Sequence, residues 1–346
     1  MNSLPPASRR LRVAFLGSDP IALPFLEWMA RDVQSGIELV GVFTQPDRPS
    51  GRGQQLAANA IKTWAIGLGL PVHQPQKVDE ASQRVLETWQ PDVSLVMAYG
   101  HILRDAFIGV PRLGTLNLHT SILPRFRGAS PIQTAIAAGE VKTGVTLMRI
   151  VRALDAGPVA DVETTLIGPD DTAYEVEQRL AACSVHLLRR NLPRLAAGTL
   201  VFTEQAHGLA TYCRRLLKSD GVLDFTAEAA DVAARINGLY PWPACSVDLG
   251  GIQVKLGLAQ VDTATPDHGG RAQPPGSVVL AAGGAVRVIC GRGSVRLRRL
   301  QRPGGRMLSA EEFLRGFRVP EGWVIPSVPM PALVSSVPFS HKPLDP

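Results

Sequence analysis

In the first half of the chain, short apolar runs rich in β-branched residues alternate with stretches whose apolar positions recur at helical spacing. LRVAFLG (11–17), ELVGVFT (38–44) and DVSLVMAYG (92–100) each close on glycine or a turn residue, and IALPFLEWMARDV and the segment around AIKTWAIGL fall between them. That βαβαβ rhythm predicts an α/β domain with a parallel-rich sheet, helices on both faces and ligands at the carboxyl ends of the strands. TGVTLMRIV (143–151) is a further strand, and residues 172–198 form a long amphipathic helix, with an Asp-Asp-Thr cap before it and Gly198 at its end.

The texture changes from residue 199. TLVFTEQAHGLATY reads as a connector, and DVAARINGL is a short helix. SVDL, IQVKLGLAQV, GSVVLA, AVRVIC and SVRLRRLQ then alternate apolar and polar positions between Gly-rich turns, which predicts a small antiparallel β-barrel. Strand periodicity places Arg287, Arg296 and Arg298 on the face opposite the barrel core. The expected organisation is a first domain over 1–198, a connector over 199–210, a barrel domain over 211–318 and a Pro-rich tail over 319–346, extended or disordered.

Composition adds a polarity to this outline. The 346 residues suit two domains. Net charge is +6, yet the ten arginines from Arg271 to Arg318 are opposed only by Glu311 and Glu312, a local net of +8 that leaves the remaining chain at −2. Such a one-sided basic stretch suits an anionic partner such as nucleic acid, while a merely solvated basic face accounts for the composition equally well. No apolar run approaches the roughly 20 residues that cross a bilayer, so no membrane partner is expected. The four cysteines are far apart without a CxxC pair, pointing to reduced thiols rather than disulfides or zinc. The N-terminus lacks a secretory apolar region, and the expected compartment is the cytoplasm.

GSDP follows the first strand where a dinucleotide fold would carry GxGxxG, and GxxxxGK[ST], GxSxG and HExxH are also missing. Three groups remain for chemistry. Asn117 and His119 end the strand-like LGTLNLH, two residues apart and therefore on one side of an extended segment; Asp155 follows the next strand in RALDAGPV. A carboxylate beside an imidazole favours imidazolium, and an Asn amide is a second donor for a developing oxyanion. A hydrogen-bonded structural histidine and a turn aspartate are the plainer alternatives.

NLHTSILPRFRGASPIQTAI, with TGVTLM and LDAGPV downstream, closely resembles the folate-dependent formyltransferases, which use 10-formyltetrahydrofolate. Their motif pairs Asn-x-His with Ser-Leu-Leu-Pro-x-x-x-Gly and takes its aspartate from a later Leu-Asp-x-Gly. The resemblance implies Asn117, His119 and Asp155 as catalytic residues, Ser121, Ile122, Leu123 and Pro124 as the folate-contacting segment, and no metal. VGVFTQPDRPSGRGQQLAANAIKTWA (40–65) is similar to the inserted loop of the members that act on methionyl-tRNA. There Arg52 would inspect the acceptor end, with Arg48 in the same loop. TYCRRLLKSDGVLDF, YPWP, GSVV and LQRPGGRMLSAEEFLRG extend the likeness to residue 318.

The resemblance thus implies a Rossmann-like catalytic domain followed by an OB-like barrel that holds tRNA through residues such as Arg287, Arg296 and Arg298. It also implies a monomer that formylates initiator methionyl-tRNA for translation initiation. Gln54 and Gln55 stand where the family commonly has lysine, and Asn237 where arginine is frequent. A nucleotide-sugar N-formyltransferase would share the first domain but not the GRG loop or the arginine-rich barrel. A glycinamide ribonucleotide formyltransferase would leave the barrel unexplained, and a non-catalytic RNA-binding protein would leave Asn117, His119 and Asp155 without a purpose.

Overall fold

A computed structural model describes residues 10–50, 55–262, 273–281, 285–320 and 322–339. Up to residue 166 the strands are β1 (Leu11–Gly17), β2 (Ile37–Phe43), β3 (Arg48–Ser50), β4 (Gln55–Ala57), β5 (Val72–His73), β6 (Val93–Met97), β7 (Thr115–His119), β8 (Arg127–Gly128), β9 (Lys142–Arg149) and β10 (Val159–Leu166). The helices are α1 (Leu23–Arg31), α2 (Ala60–Gly67), α3 (Glu80–Trp89), α4 (Asp105–Ile108), α5 (Pro131–Ala137), α6 (Ala173–Ala196), α7 (Ala229–Leu239) and α8 (Ala310–Arg315).

The first sheet has the order β10-β9-β7-β6-β1-β2-β5. β1 pairs in parallel with β2 and β6, β2 with β5, and β6 with β7, whereas β9 runs antiparallel to β7. Val13, Ala14, Phe15 and Leu16 of the central β1 are fully buried, as an uninterrupted apolar run requires of a strand covered on both faces. Phe15 meets Phe25 of α1 edge-on, with ring centroids 5.6 Å apart.

The chain order reverses between β1 and β6, and there the two strands close tightly. A side chain at Gly17 would meet the Met97 carbonyl at 2.4 Å, so only glycine lets the carboxyl end of β1 lie against its neighbour. Beyond it, Asp19 caps the following turn by accepting from the Ile21 amide at 3.0 Å. In open parallel sheets this reversal is where ligands bind.

β10 was not anticipated. VADVETTL is only half-buried and carries Asp161 and Glu163, so it lacks the apolar run that marks the other strands. Those acids pair with Arg190 of α6, and Asn191 adds a bond to Asp161 at 2.6 Å. The α6 start is legible in sequence: Glu175 accepts from the Thr172 amide at 3.0 Å, in the manner of a capping box.

The remaining strands are β11 (Tyr212–Cys213), β12 (Cys245–Leu249), β13 (Ile252–Asp262), β14 (Val278–Ala281), β15 (Ala285–Ile289), β16 (Ser294–Gln301), β17 (Leu308–Ser309) and β18 (Val334–Ser335). β12-β13-β16-β15-β14 form an antiparallel sheet with β17 added to β16. This is a half-barrel, whose core includes Val232, Ile236 and Leu239 of α7 together with Val254, Val286, Val288 and Leu297. β13 is irregular around Leu258, and Asn237 serves that break. Its amide donates to the Ala259 carbonyl at 2.9 Å and accepts from the Ala259 N–H at 2.8 Å, satisfying both backbone groups.

By contacts the chain forms two units. The first holds residues up to Pro124 with Gly144–Thr165 and Gln178–Leu209; the second holds Arg125–Thr143, Leu166–Glu177 and the chain from Ala210 onward. Segments 125–143 and 166–177 therefore group with the half-barrel despite their place in the sequence. β8 is the reason for the first, since it pairs in parallel with β11. In the Pro-rich segment past 319, expected to be extended or disordered, the described residues are fastened: Ile325 and Leu333 are buried, and β18 pairs antiparallel with β11.

Candidate functional site

Asn117 and His119 lie on β7 with Leu116 and Leu118 buried between and beside them. Strand alternation sends the polar pair to one face, and β7 ends on the same edge of the sheet as the β1–β6 reversal. His119 is 6% exposed, and its Nδ1 stands 3.7 Å from the Asp155 carboxylate. That separation is within ion-pair reach but longer than a hydrogen bond. Catalytic contacts often tighten only once the reactants are bound.

Asp155 reaches this position through an unusual backbone. Its φ is +46°, a left-handed conformation that Asp tolerates better than most side chains do. Two residues on, a Cβ at Gly157 would lie 2.0 Å from the Arg149 carbonyl. The turn is held from a place that sequence reading passed over as connector. The Gln205 side-chain amide donates to the Asp155 carbonyl at 2.9 Å and to the Gly157 carbonyl at 2.7 Å. Nothing in the local pattern of TEQAH marks this; only a buried glutamine amide among exposed neighbours does.

Ser121, Ile122, Leu123 and Pro124 follow directly. Thr146 of β9 secures them by donating to the Ser121 carbonyl at 2.6 Å while its hydroxyl accepts from the Leu123 amide at 3.2 Å. Thr146 was also missed, although the polar positions inside TGVTLM could have signalled it. Gln45, in the loop that follows β2, ties that loop to the end of β6: its side-chain amide donates to the Tyr99 carbonyl at 2.9 Å. Among the described residues, Tyr99 Oη and His101 Nε2 are buried without a hydrogen-bond partner. Buried orphans of this kind call for a ligand or water. Burial lowers the His101 pKa and so favours its neutral form.

The arginines assigned to RNA fall into different situations. Arg52 lies outside the described residues. Arg48 opens the β3–β4 hairpin and donates to the Gln45 side chain at 3.0 Å. Arg287 and Arg296 face each other across β15 and β16, opposite buried Val286, Val288, Val295 and Leu297. Both engage Asp262, whose carboxylate is 3% exposed: Arg287 as an ion pair out of hydrogen-bond alignment, and Arg296 at 3.4 Å. Arg298 is exposed on the same strand face. No group of His, Cys, Asp or Glu residues suited to a metal ion occurs among the described residues.

The sequence pattern of the family described as "Formyl transferase" matches residues 11–192, and that of "Formyl transferase, C-terminal domain" matches 215–318. A methionyl-tRNA formyltransferase of Methylococcus capsulatus is 41% identical over 88% of this chain and 96% of its own. One from Sorangium cellulosum is 40% identical over 91% and 99%. Among solved structures, an N-formyltransferase from Helicobacter canadensis in complex with folinic acid and dTDP-3-aminofucose superposes with a TM-score of 0.62 at 16% identity, covering 84% of this chain and 98% of that one. HypX from Aquifex aeolicus, in complex with tetrahydrofolic acid, gives 0.58 at 17% identity over 88% and 46%. At such identities the two structures speak for the fold. The relatives that match nearly end to end speak for more, and the chain belongs to the methionyl-tRNA formyltransferase family.

Proposed function

We propose that the chain transfers the formyl group of 10-formyltetrahydrofolate to the α-amino group of methionine on initiator methionyl-tRNA, with Asn117, His119 and Asp155 as the catalytic residues. The observation that carries the chemistry is the imidazole of His119 set 3.7 Å from the Asp155 carboxylate, with Asn117 on the same strand face. The near full-length likeness to methionyl-tRNA formyltransferases carries the substrates.

The folate supplies an activated formyl group, and Ser121 to Pro124 line its place beside β7. Asn117 donates a hydrogen bond to the formyl oxygen as charge builds there, and His119, with the Asp155 carboxylate beside it, is the second donor. In the transfer the amine nitrogen bonds to the formyl carbon, the bond from that carbon to the folate nitrogen breaks, the amine loses a proton and the folate nitrogen gains one. His119 is placed to deliver the latter. The α-amino group has a reference pKa of about 7.7–8.0, so a strong base is not needed to neutralise it.

Arg48, Arg52 and the half-barrel arginines Arg287, Arg296 and Arg298 are the proposed tRNA contacts, phosphate being the target of the barrel set. The domain division at 198 and 211, a monomeric state and a cytoplasmic setting belong to the same proposal. Among the described residues no helix is long and apolar enough to cross a membrane. Formyl transfer from 10-formyltetrahydrofolate to methionyl initiator tRNA, methionyl elongator tRNA, an amino-sugar nucleotide and glycinamide ribonucleotide, assayed in parallel, tests it. Product on the initiator tRNA alone is expected; product on the sugar nucleotide instead would overturn the acceptor.

A further inference from the structure

The turn that carries Asp155 is tied to a segment some 50 residues further along the chain. The residue sits in a left-handed backbone conformation, and the turn around it includes a short-range backbone bond from the Ala156 amide to the Ala153 carbonyl at 3.3 Å. A long, weak bond of that kind does not fix the direction of a carboxylate to the fraction of an ångström that catalysis needs. The carboxylate's distance from His119 depends on the peptide planes on either side of residue 155.

The peptide that follows residue 155, and the one that follows residue 157, are held from outside. Residues 201–205 lie along the start of β10, where Thr203 and Val159 exchange two backbone bonds of 2.8 Å each. Phe202 stacks under the Arg149 guanidinium at 4.1 Å. The segment so pinned delivers the Gln205 amide to the inside of the turn. One Nε2 group satisfies the carbonyls of both Asp155 and Gly157. Gln205 is 8% exposed although its neighbours on both sides are exposed. A donor that bridges two carbonyls two residues apart fixes the peptide on each side of the intervening residues, and the two N–H groups of a carboxamide do this from one atom.

We propose that Gln205 is a positioning residue for the Asp155 carboxylate, and through it for the His119 imidazole. The inference deepens the proposed function and rests on Asp155 being the partner of the reacting imidazole. Gln205 acts through the carbonyls of the turn. Its loss takes a donor from two carbonyls and lets the turn rotate, so that rate suffers while binding does not.

The test is a double-mutant cycle of Gln205→Met and Asp155→Asn, read as formyl transfer to methionyl initiator tRNA. Gln205→Met should lower kcat by about 10- to 100-fold, the scale of a misplacement near 1 Å, with KM for folate and tRNA moving less than about twofold. In the Asp155→Asn background the same substitution should change kcat by less than about twofold, because the orientation it controls no longer matters. Gln205→Glu, which keeps the shape and removes the donor, repeats the cycle should the Met variant fail to fold. An equal loss in both backgrounds, or an unchanged kcat for the single variants at position 205 beside an impaired Asp155→Asn, would overturn the positioning role alone. Wild-type turnover in Asp155→Asn would overturn the catalytic assignment and the inference with it.

Discussion

At the end of β7 one imidazole meets one carboxylate, and each is placed by a separate backbone device: strand pairing for His119, a left-handed turn for Asp155. On β15 and β16 three arginines share a face, two of them leaning on the same Asp262 while Arg298 points outward. The first arrangement has no spare part. The second is distributed, and its charges are partly cancelled by the Asp262 carboxylate. A site that stabilises one developing charge must be rigid and dry, whereas a surface that gathers phosphates gains from number and tolerates looseness.

The sharpest way to break this comparison is at the site. His119→Ala and Asp155→Asn should each lower turnover by about 100- to 1000-fold, the scale of removing one oxyanion donor or its support, while tRNA affinity stays close to that of the unaltered chain. Filter binding beside single-turnover rates separates the two, and near-normal turnover in either variant removes the assignment. Next in size is Gly157→Ala. With the Arg149 carbonyl 2.0 Å from the new Cβ, the strand end and turn must separate, at a cost of about 1–3 kcal/mol. Thermal unfolding should show the loss, and turnover should fall with it; a variant as stable as the parent would show that the turn adapts.

The half-barrel should answer more quietly. Arg298→Ala should weaken tRNA binding at low salt and reduce the slope of log K against log salt by about one, leaving kcat at saturating tRNA unchanged. An unaltered slope would remove Arg298 from the phosphate contacts. The smallest effect concerns acid stability. Burial raises the Asp220 carboxyl, but hydrogen bonds from Arg214 and the Leu217 amide outweigh it and hold the pKa below the ordinary 3.8. A depressed carboxylate stabilises the fold above its unfolded pKa, and that contribution is lost as pH falls through the lower folded value. Asp220→Asn should therefore be less stable than the parent near neutrality, with the gap closing below about pH 4. A gap that persists under acid would mean that packing, not charge, is what Asp220 supplies.

Sequence foretold those parts whose cause is local. β1 and β6 are read directly because strands covered on both faces must be apolar throughout, and the ends of α6 announce themselves through Thr172, Glu175 and Gly198. The alternation of arginine with valine and leucine on β15 and β16 likewise matches the observed faces. Asn117 and His119 were legible as a pair by their spacing, and Asp155 as a candidate in the turn after the next strand; the family resemblance singled out the three together across 36 residues. β10 escaped because its acids are stabilised by Arg190 and Asn191, residues remote in sequence. Gln205 and Thr146 escaped for the same reason: their worth lies in carbonyls brought to them by the fold. Two-residue strands such as β8, β11 and β18 carry no periodicity at all, so their ladder is visible only in three dimensions.

The fastened Pro-rich segment has a practical corollary for anyone shortening the chain. The family pattern stops at residue 318, which invites a cut there. Such a cut would uncover the half-barrel: the Val278 amide would lose the Trp323 carbonyl, Phe225 the Ser327 hydroxyl, and the buried Arg235 the Pro331 carbonyl, all bonds of 2.9–3.0 Å. It would also strip Ile325 and Leu333 from the apolar core. The stretch past 318 is a clasp, and a truncated chain would be expected to precipitate before anyone could ask whether it still recognises RNA.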